Sequence, residues 1–210
     1  MRRYLDRLLF RGPFVGPGAY RYLRVHRPAF GDLDARLVDG LARELAGARV
    51  VLDLGSGDGR FAARIAERHP DALVVAVEPS AELAASRPGV TVLRGLGERL
   101  PLPDGSVDVA ILLSSLRHVV DRGGALRELR RVVRPGGTAV VVELDPDAGD
   151  AQIRTHVAGL GSSIARVTFT PLLLRTAPTA SELAALARHA GWQVGWHPDA
   201  VQPFYWMRLG

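Results

Sequence analysis

The stretch Val50-Val51-Leu52-Asp53-Leu54-Gly55-Ser56-Gly57-Asp58-Gly59 decides the fold of this chain. Its first five residues are apolar on both faces, which predicts a buried parallel strand. Three alternate glycines then permit a sharp turn and a close approach to a ligand. The segment 60–67 has helical spacing, with Phe61 and Ile65 on one face. A strand, a glycine turn and a helix predict a nucleotide-type pocket at the carboxyl end of a parallel sheet. A tight turn that binds nothing is the alternative.

The composition excludes several kinds of chemistry. The 210 residues include no cysteine and no lysine, so all 27 basic residues are arginine. Disulfides, thiolate metal sites, cysteine nucleophiles and lysine Schiff bases are therefore excluded. No apolar run reaches the roughly 20 residues of a membrane span, and no signal-peptide core precedes the domain. A cytoplasmic location is therefore expected.

Basic charge is concentrated at the N-terminus. Residues 1–30 hold seven arginines and one acid, whereas the remaining residues hold 20 arginines and 21 acids. Residues 1–11 read as an amphipathic basic helix, and glycines and prolines from 12 to 18 predict a loop. We expect residues 1–31 to form a basic helical cap or lid, and residues 32–210 a catalytic domain. A helix that only packs on the domain and a helix that contacts a membrane surface are the alternatives.

Alternating strand and helix patterns predict an α/β fold with a doubly wound parallel sheet. A helix is predicted to begin at Asp32 and to end near Gly47. A capping box, Thr179 with Glu182, predicts the start of a later helix. The other predicted strands cover 50–54, 72–77, 90–93, 107–113, 139–144, 192–196 and 204–209, and the other helices 59–69, 81–86, 124–133 and 148–161.

The glycine turn does not fit a dinucleotide site. The dinucleotide fingerprint needs a third small residue at position 60, where Arg60 stands. Asp53 at the strand end would repel a pyrophosphate. Glu78 ends the second strand, beside the first, where a carboxylate can accept both hydroxyls of a ribose. A surface glutamate before the turn at Pro79 is the alternative for Glu78.

Four runs together resemble the class I S-adenosylmethionine-dependent methyltransferases, and most of all the ubiquinone/menaquinone-biosynthesis and small-molecule branch. These runs are 51–59, 76–80, 98–108 and 129–137, and the resemblance covers about residues 35–209. It implies a Rossmann-like sheet of seven strands, mostly parallel, with an antiparallel last strand. It also implies S-adenosyl-L-methionine as cofactor, with S-adenosyl-L-homocysteine as product. No metal site is implied.

The resemblance also implies the site residues. Asp53, Gly55 and Gly57 would surround the methionine part of the cofactor, and Glu78 would hold the ribose. The segment Leu113-Ser114-Ser115 would lie at the methionine end, and His118 near the transferred methyl group. The full implied cofactor set is Asp53, Gly55, Ser56, Gly57, Glu78, Pro79, Leu96, Gly97, Glu98, Leu113 and Ser114.

One position departs from the family pattern. Related proteins usually carry an aspartate for the adenine amine where this chain has Leu96. Leucine cannot accept that hydrogen bond, so backbone groups around Leu96 and Gly97 and apolar contacts would hold the adenine. This departure keeps open a member that binds the cofactor without methyl transfer, such as a pericyclase or a partner subunit.

His118 is the candidate general base, needed only for a hydroxyl or an acidic carbon. Arg117 beside it could bind an anionic acceptor. A histidine that only caps or packs a helix start is the alternative for His118, and His26 and His156 read as structural. We expect the acceptor between the 1–30 arm and the segment 145–178.

The sequence favours a small-molecule acceptor, quinone-like, polyketide-like or another secondary metabolite, methylated at oxygen, carbon or nitrogen. The motif after strand four that many nucleic-acid amino methyltransferases share is absent, since Ser114-Ser115-Leu116-Arg117 stands there. A nucleic-acid partner is therefore not expected, although the arginines of the arm leave an RNA or protein substrate as a rival. A homodimer is a further expectation.

Overall fold

The architecture is that of a computed structural model, which describes Gly12 and residues 14–210. The helix expected over 1–11 lies outside the described residues. From Phe14 the chain runs into a short helix α1 (Pro17–Arg21), a π-helical turn (Tyr22–His26) and a 3-10 turn (Arg27–Phe30). These turns carry the chain across one end of the sheet.

A seven-stranded sheet in the order β3-β2-β1-β4-β5-β7-β6 forms the centre. Strands β1 to β5 are mutually parallel, and β7 runs antiparallel to both of its neighbours. The predicted fold class is therefore confirmed. The strands are β1 (Val50–Leu54), β2 (Leu73–Val77), β3 (Val90–Leu93), β4 (Val107–Leu113), β5 (Val133–Leu144), β6 (Val194–Pro198) and β7 (Phe204–Leu209).

Strand β1 lies at the point where the strand order reverses. It pairs with β2 on one side and β4 on the other, so Asp53 faces Ala76 and Ile111 across the ladder. The chain leaves β2 and β4 in opposite directions along the sheet, which opens a crevice above the carboxyl end of β1. The glycine turn 55–59 stands in this crevice.

Helices cover both faces of the sheet because successive strand residues point to opposite faces and most of them are apolar. Val51 packs with one face and Leu52 with the other. Helices α2 (Leu33–Gly40), α3 (Ala42–Leu45) and α4 (Arg60–Arg68) cover the first face, and α5 (Arg122–Val132) and α8 (Ala180–His189) the second. Helices α6 (Asp150–Gly159) and α7 (Ser163–Thr168), with a π-helical turn (Phe169–Leu174), follow β5.

Two helix predictions need correction. The helix after Asp32 is interrupted at Leu41, and the Asp32 side chain accepts from Arg36 Nε at 3.1 Å instead of capping the helix. Residues 81–86 form a turn and no helix. Ala84 donates one helical hydrogen bond to Ser80 at 3.0 Å, but Pro88 then disfavours the helical conformation of the residue before it.

Other elements agree with the sequence or differ at their ends. Thr179 and Glu182 form the predicted capping box, with reciprocal hydrogen bonds of 3.2 and 2.9 Å. Strand β5 begins six residues before the predicted Ala139, β6 lies two residues later than predicted, and the helical segment 163–174 has no predicted counterpart. Among the described residues, no helix is long and apolar enough to cross a membrane.

Candidate functional site

The glycine turn requires glycine at the positions that face the crevice. Gly55 and Gly57 have φ angles of +76° and +55°, which L side chains rarely adopt. A Cβ at Gly55 would overlap the Ser115 side chain. The Gly55 amide donates to Val77 O at 2.8 Å, which ties the turn to the end of β2. The backbone at Gly55 and Gly57 therefore faces the crevice without a side chain in between.

Glu78 connects the glycine turn to the chain after β2. Its Oε2 accepts from the Gly57 amide and its Oε1 from the Ser80 amide, both at 2.8 Å. The side chain is buried, yet it lines the cleft above the turn. Burial raises the pKa of Glu78, and the two amide donors oppose that rise. Each carboxylate oxygen keeps a lone pair with which it can accept from a hydroxyl in the cleft.

Most residues of the implied cofactor set share one cleft of about 730 Å³, its open mouth included. The members that line it are Gly55, Gly57, Glu78, Pro79, Leu96, Gly97, Glu98, Leu113 and Ser114, and His118 lines it as well. These residues come from the ends of β1, β2 and β4 and from the loop after β3, which the parallel topology brings to one edge.

Asp53 does not line the cleft. Its carboxyl is buried on the opposite side of β1, and one oxygen has no hydrogen-bond partner within the described part of the chain. Burial, followed by the charges of Asp34 and Glu78, raises the pKa of Asp53 to about 8, against the opposing charge of Arg27. The direct contact of Asp53 with the methionine part of the cofactor, which the resemblance implied, remains a prediction.

Ser56 is also outside the cleft wall. Its amide donates to Val77 O at 3.3 Å, so its backbone supports the turn. Three arm residues that the implied set lacked do line the cleft, namely Gly12, Phe14 and Tyr22, and the rings of Phe14 and Tyr22 stack with centroids 5.1 Å apart. No motif marks the two rings, and only their aromatic character after the glycine–proline loop offered a signal.

The loop after β3 forms the far end of the cleft. Leu96 is half exposed in its wall, and Gly97 beside it is buried. Glu98 also lines the cleft, and its Oε1 accepts from the Asp121 amide at 3.0 Å. Glu98 is therefore two residues beyond Leu96, the position at which the family resemblance implies an aspartate.

The turn after β4 is strained at the cleft. Ser114 has a φ of +53°, the one positive φ among the described residues other than glycine. Such strain persists only where the surroundings hold it, and it is common at functional sites. The Ser114 amide donates to Val142 O at 2.7 Å, and Ser115 Oγ donates to Leu54 O at 2.7 Å. The ends of β1, β4 and β5 are thereby fixed to one another.

A second cavity adjoins the cleft. It lies between the arm, the segment 164–173 and the end of β5, and Phe14, Tyr22, Ser114 and His118 line both spaces. His118 accepts a backbone hydrogen bond from Gly12 at 2.6 Å, and its ring lies 4.8 Å from that of Phe14. His118 is therefore at the junction of the two spaces.

The other basic candidates lie in the second cavity. Arg117 is buried in its wall, where its guanidinium donates to Leu173 O at 3.2 Å. His156 Nδ1 is 3.0 Å from Gln202 Oε1, and burial lowers its pKa to about 4. His26 also lines this cavity. The residues that read as structural in the sequence thus face the space beside His118.

Comparison with known proteins places this geometry in a family. A family model described as a methyltransferase domain matches residues 52–141. A methyltransferase of Mycobacterium avium is 34% identical over 190 residues, which cover 75% of each chain. The chain belongs to the class I S-adenosylmethionine-dependent methyltransferases.

Other relatives agree with this assignment. A ubiquinone/menaquinone biosynthesis C-methyltransferase of Syntrophotalea carbinolica is 29% identical, over 86% of this chain and 85% of the relative. The crystal structure of a methyltransferase from Thermotoga maritima superposes with a TM-score of 0.63 at 27% identity, covering 90% of this chain and 93% of that one. The chain spans only 38% of the length of methyltransferases of Mycobacterium bovis and Mycobacterium tuberculosis to which it is 47% identical.

The residues of the cleft fit the cofactor of this methyltransferase family. The glycine backbone leaves room at the turn, and the buried Glu78 carboxylate points acceptors into the cleft. Leu54, Leu83, Leu113 and Val119 add apolar walls. The family resemblance and the cofactor that the sequence indicated are thereby confirmed.

Proposed function

We propose that this methyltransferase transfers the methyl group of S-adenosylmethionine to oxygen, carbon or nitrogen of a small-molecule acceptor of quinone-like, polyketide-like or other secondary-metabolite type. The observation that carries the proposal is the junction of the two spaces, at which Ser114 and His118 face both the cofactor cleft and the second cavity. An acceptor in the second cavity would meet the cofactor at this junction.

The chain's own residues have three tasks in this proposal. Glu78 and the amides of the glycine turn would hold the ribose and the amino-acid end of the cofactor, which supplies an activated methyl group on a sulfonium. Phe14 and Tyr22 cover the junction and would exclude water. Alignment of acceptor and methyl group accounts for most of the expected rate enhancement.

His118 would accept the acceptor's proton where the acceptor is a hydroxyl or an acidic carbon. Its place at the junction supports this role, because a general base must reach the atom that loses the proton. For an amine acceptor that is already neutral, His118 would only shape the junction.

A radioactive transfer experiment tests the function. The protein is incubated with methyl-labelled S-adenosylmethionine and a bacterial metabolite extract, and the label is followed into small organic compounds. We expect label in at least one compound, and none with boiled protein. Label found only in RNA or protein would contradict a small-molecule acceptor. Tighter binding of NAD than of S-adenosylhomocysteine would contradict the cofactor assignment.

A member that binds the cofactor without transferring its methyl group is the second candidate. Leu96 favours it, because the adenine amine lacks its usual carboxylate partner at this position. In that case S-adenosylhomocysteine would bind, and the extract would show a substrate consumed with no label incorporated. The two candidates therefore differ in one readout of the same experiment.

A further inference from the structure

The described wall of the second cavity carries basic side chains and no acidic ones. Its polar side chains are donors or cations, and no aspartate or glutamate belongs to its described lining. The cationic or ring-nitrogen groups are Arg21, His26, Arg117, His118 and His156. A ligand with positive charge would find no partner for that charge here, whereas a ligand with an anionic oxygen would find several.

Two arginines and one histidine form the charged part of this wall. Burial lowers the pKa of His26, and the charges of Arg21 and Arg117 lower it further. Both arginine charges therefore act on the His26 ring, and all three side chains line the same cavity. Glu143 is close to Arg117, because its Oε1 accepts from the Arg117 backbone amide at 3.1 Å. Glu143 lies outside the described cavity lining, whereas Arg21 and Arg117 both belong to it.

The opposite part of the wall is aromatic. The His156 ring stacks on Phe169 with centroids 4.6 Å apart and an interplanar angle of 29°. Phe30 lies 6.1 Å from His156, and all three rings line the cavity. Since the buried His156 is neutral at ordinary pH, this part of the wall is aromatic and uncharged. An aromatic wall of this kind favours a planar aromatic ligand.

We infer that the second cavity binds a planar aromatic carboxylate, with the carboxylate at Arg21 and Arg117 and the ring against Phe169 and His156. This inference rests on the proposed function, and it narrows the acceptor to one chemical class. Arginine pairs with a carboxylate through two parallel donors, so the pair fixes the orientation of the ring as well as its charge. A fixed ring can present one edge to the junction at His118.

Calorimetry with matched probes tests the inference. Protein saturated with S-adenosylhomocysteine is titrated with 2-naphthoate and with 2-naphthamide, which has the same ring and shape but no charge. We expect 2-naphthoate to bind about tenfold more tightly, the difference of one charge-assisted contact. Arg21→Gln and Arg117→Leu should each reduce this ratio to about threefold or less. Arg188→Gln, an exposed arginine on α8 outside both spaces, should leave the ratio unchanged.

Several outcomes would overturn the inference. Equal binding of the two probes, no saturable binding of 2-naphthoate, or displacement of S-adenosylhomocysteine by 2-naphthoate would each do so. An equal loss in Arg188→Gln and Arg21→Gln would show a general charge effect. Arg21 is exposed, so its variant keeps the test valid where Arg117→Leu fails to fold. Failure of S-adenosylhomocysteine to bind would instead count against the proposed function, since the probe ratio can be measured on the ligand-free protein.

Discussion

Glu78 both fixes the glycine turn and lines the cofactor cleft, so its replacement should weaken cofactor binding. Its oxygens hold the amides of Gly57 and Ser80 and face the cleft. Glu78→Gln replaces one acceptor with a donor. We expect the affinity for S-adenosylhomocysteine, measured by calorimetry, to fall by ~1–3 kcal/mol. Glu67→Gln, on the exposed side of α4, is the matched control. An unchanged affinity in Glu78→Gln would rule out the ribose assignment.

His118 should affect the reaction and leave the cofactor in place. If the acceptor is a hydroxyl or an acidic carbon, His118→Ala should lower kcat by roughly 10²–10⁴-fold. The affinity for S-adenosylhomocysteine should stay within about threefold of the wild type, since backbone groups and Glu78 supply the polar contacts. His189→Ala, at the exposed end of α8, is the control. An unchanged kcat in His118→Ala would show that His118 is not a general base, and that the enzyme acts only by aligning the acceptor with the methyl group.

Leu96 occupies the position at which the family resemblance implies an aspartate, and an introduced aspartate tests the adenine contact. Leu96 is half exposed in the cleft wall, so an aspartate fits there without burying a charge. We expect Leu96→Asp to tighten the binding of S-adenosylhomocysteine by roughly 3- to 10-fold through one new hydrogen bond to the adenine amine. S-inosylhomocysteine, which lacks that amine, should gain nothing. Equal gains for both ligands would place the adenine elsewhere.

At the scale of elements, the arm from Phe14 to Phe30 forms part of both walls of the site. The Gly16 amide donates to Glu82 Oε1 at 2.7 Å, Gly161 donates to Val25 O at 3.0 Å, and Arg27 pairs with Asp34 and, at 3.9 Å, with Asp58. These contacts tie the arm to the turn after β2, to the segment before α7 and to the glycine turn. Our expectation of a separate cap over 1–31 remains a prediction.

The arm must open for ligands to enter if it is a lid. We expect S-adenosylhomocysteine to slow hydrogen exchange of amides in Val15–His26 by about tenfold or more, because Phe14 and Tyr22 line the cofactor cleft. Amides of β4, buried in the sheet, should be slow in both states and serve as the internal control. Exchange in Val15–His26 that is slow without ligand and unchanged with it would mean that the arm is only part of the fold.

At the scale of the whole molecule, two buried groups give the stability opposite dependences on pH. Asp53 has its pKa raised to about 8, so the unfolded chain ionises first and stability falls as pH rises from 4 to 8. His156 has its pKa lowered to about 4, so the unfolded chain takes up the proton first and stability falls as pH drops below 6.5. The two effects oppose each other between pH 4 and 6.5.

Variants separate these two dependences. Relative to the wild type, Asp53→Asn should gain stability between pH 5 and 8, at roughly 1.4 kcal/mol per pH unit at most. His156→Gln should gain stability, relative to the wild type, as pH falls from 7 to 4.5. Urea unfolding at several pH values measures both differences. A constant difference between Asp53→Asn and the wild type across this range would show that Asp53 ionises in the folded protein as it does in the unfolded chain.

The sequence by itself determined the framework of the molecule. Strands β1, β3, β4 and β7 have the predicted bounds, because each is mostly apolar and ends just before a glycine, a serine or an arginine. The place of the glycines and of Glu78 at the cleft was also predictable. Glycines after a strand permit a close approach of the backbone to a ligand, and parallel topology brings a carboxylate at the end of the next strand to the same edge. Local signals failed at 81–86, where one helical turn is too short to persist beside a proline.

Only the tertiary structure decided which side chains face the ligand spaces. Asp53 and Leu54 lie on opposite faces of β1, because residues alternate between the faces of a strand, and of these two only Leu54 lines the cleft. Tyr22 and Phe14 reach the cleft, and Arg117 and His156 reach the second cavity, through folding of segments far apart in sequence. Such long-range contacts leave no periodic trace, because each depends on the packing of another element.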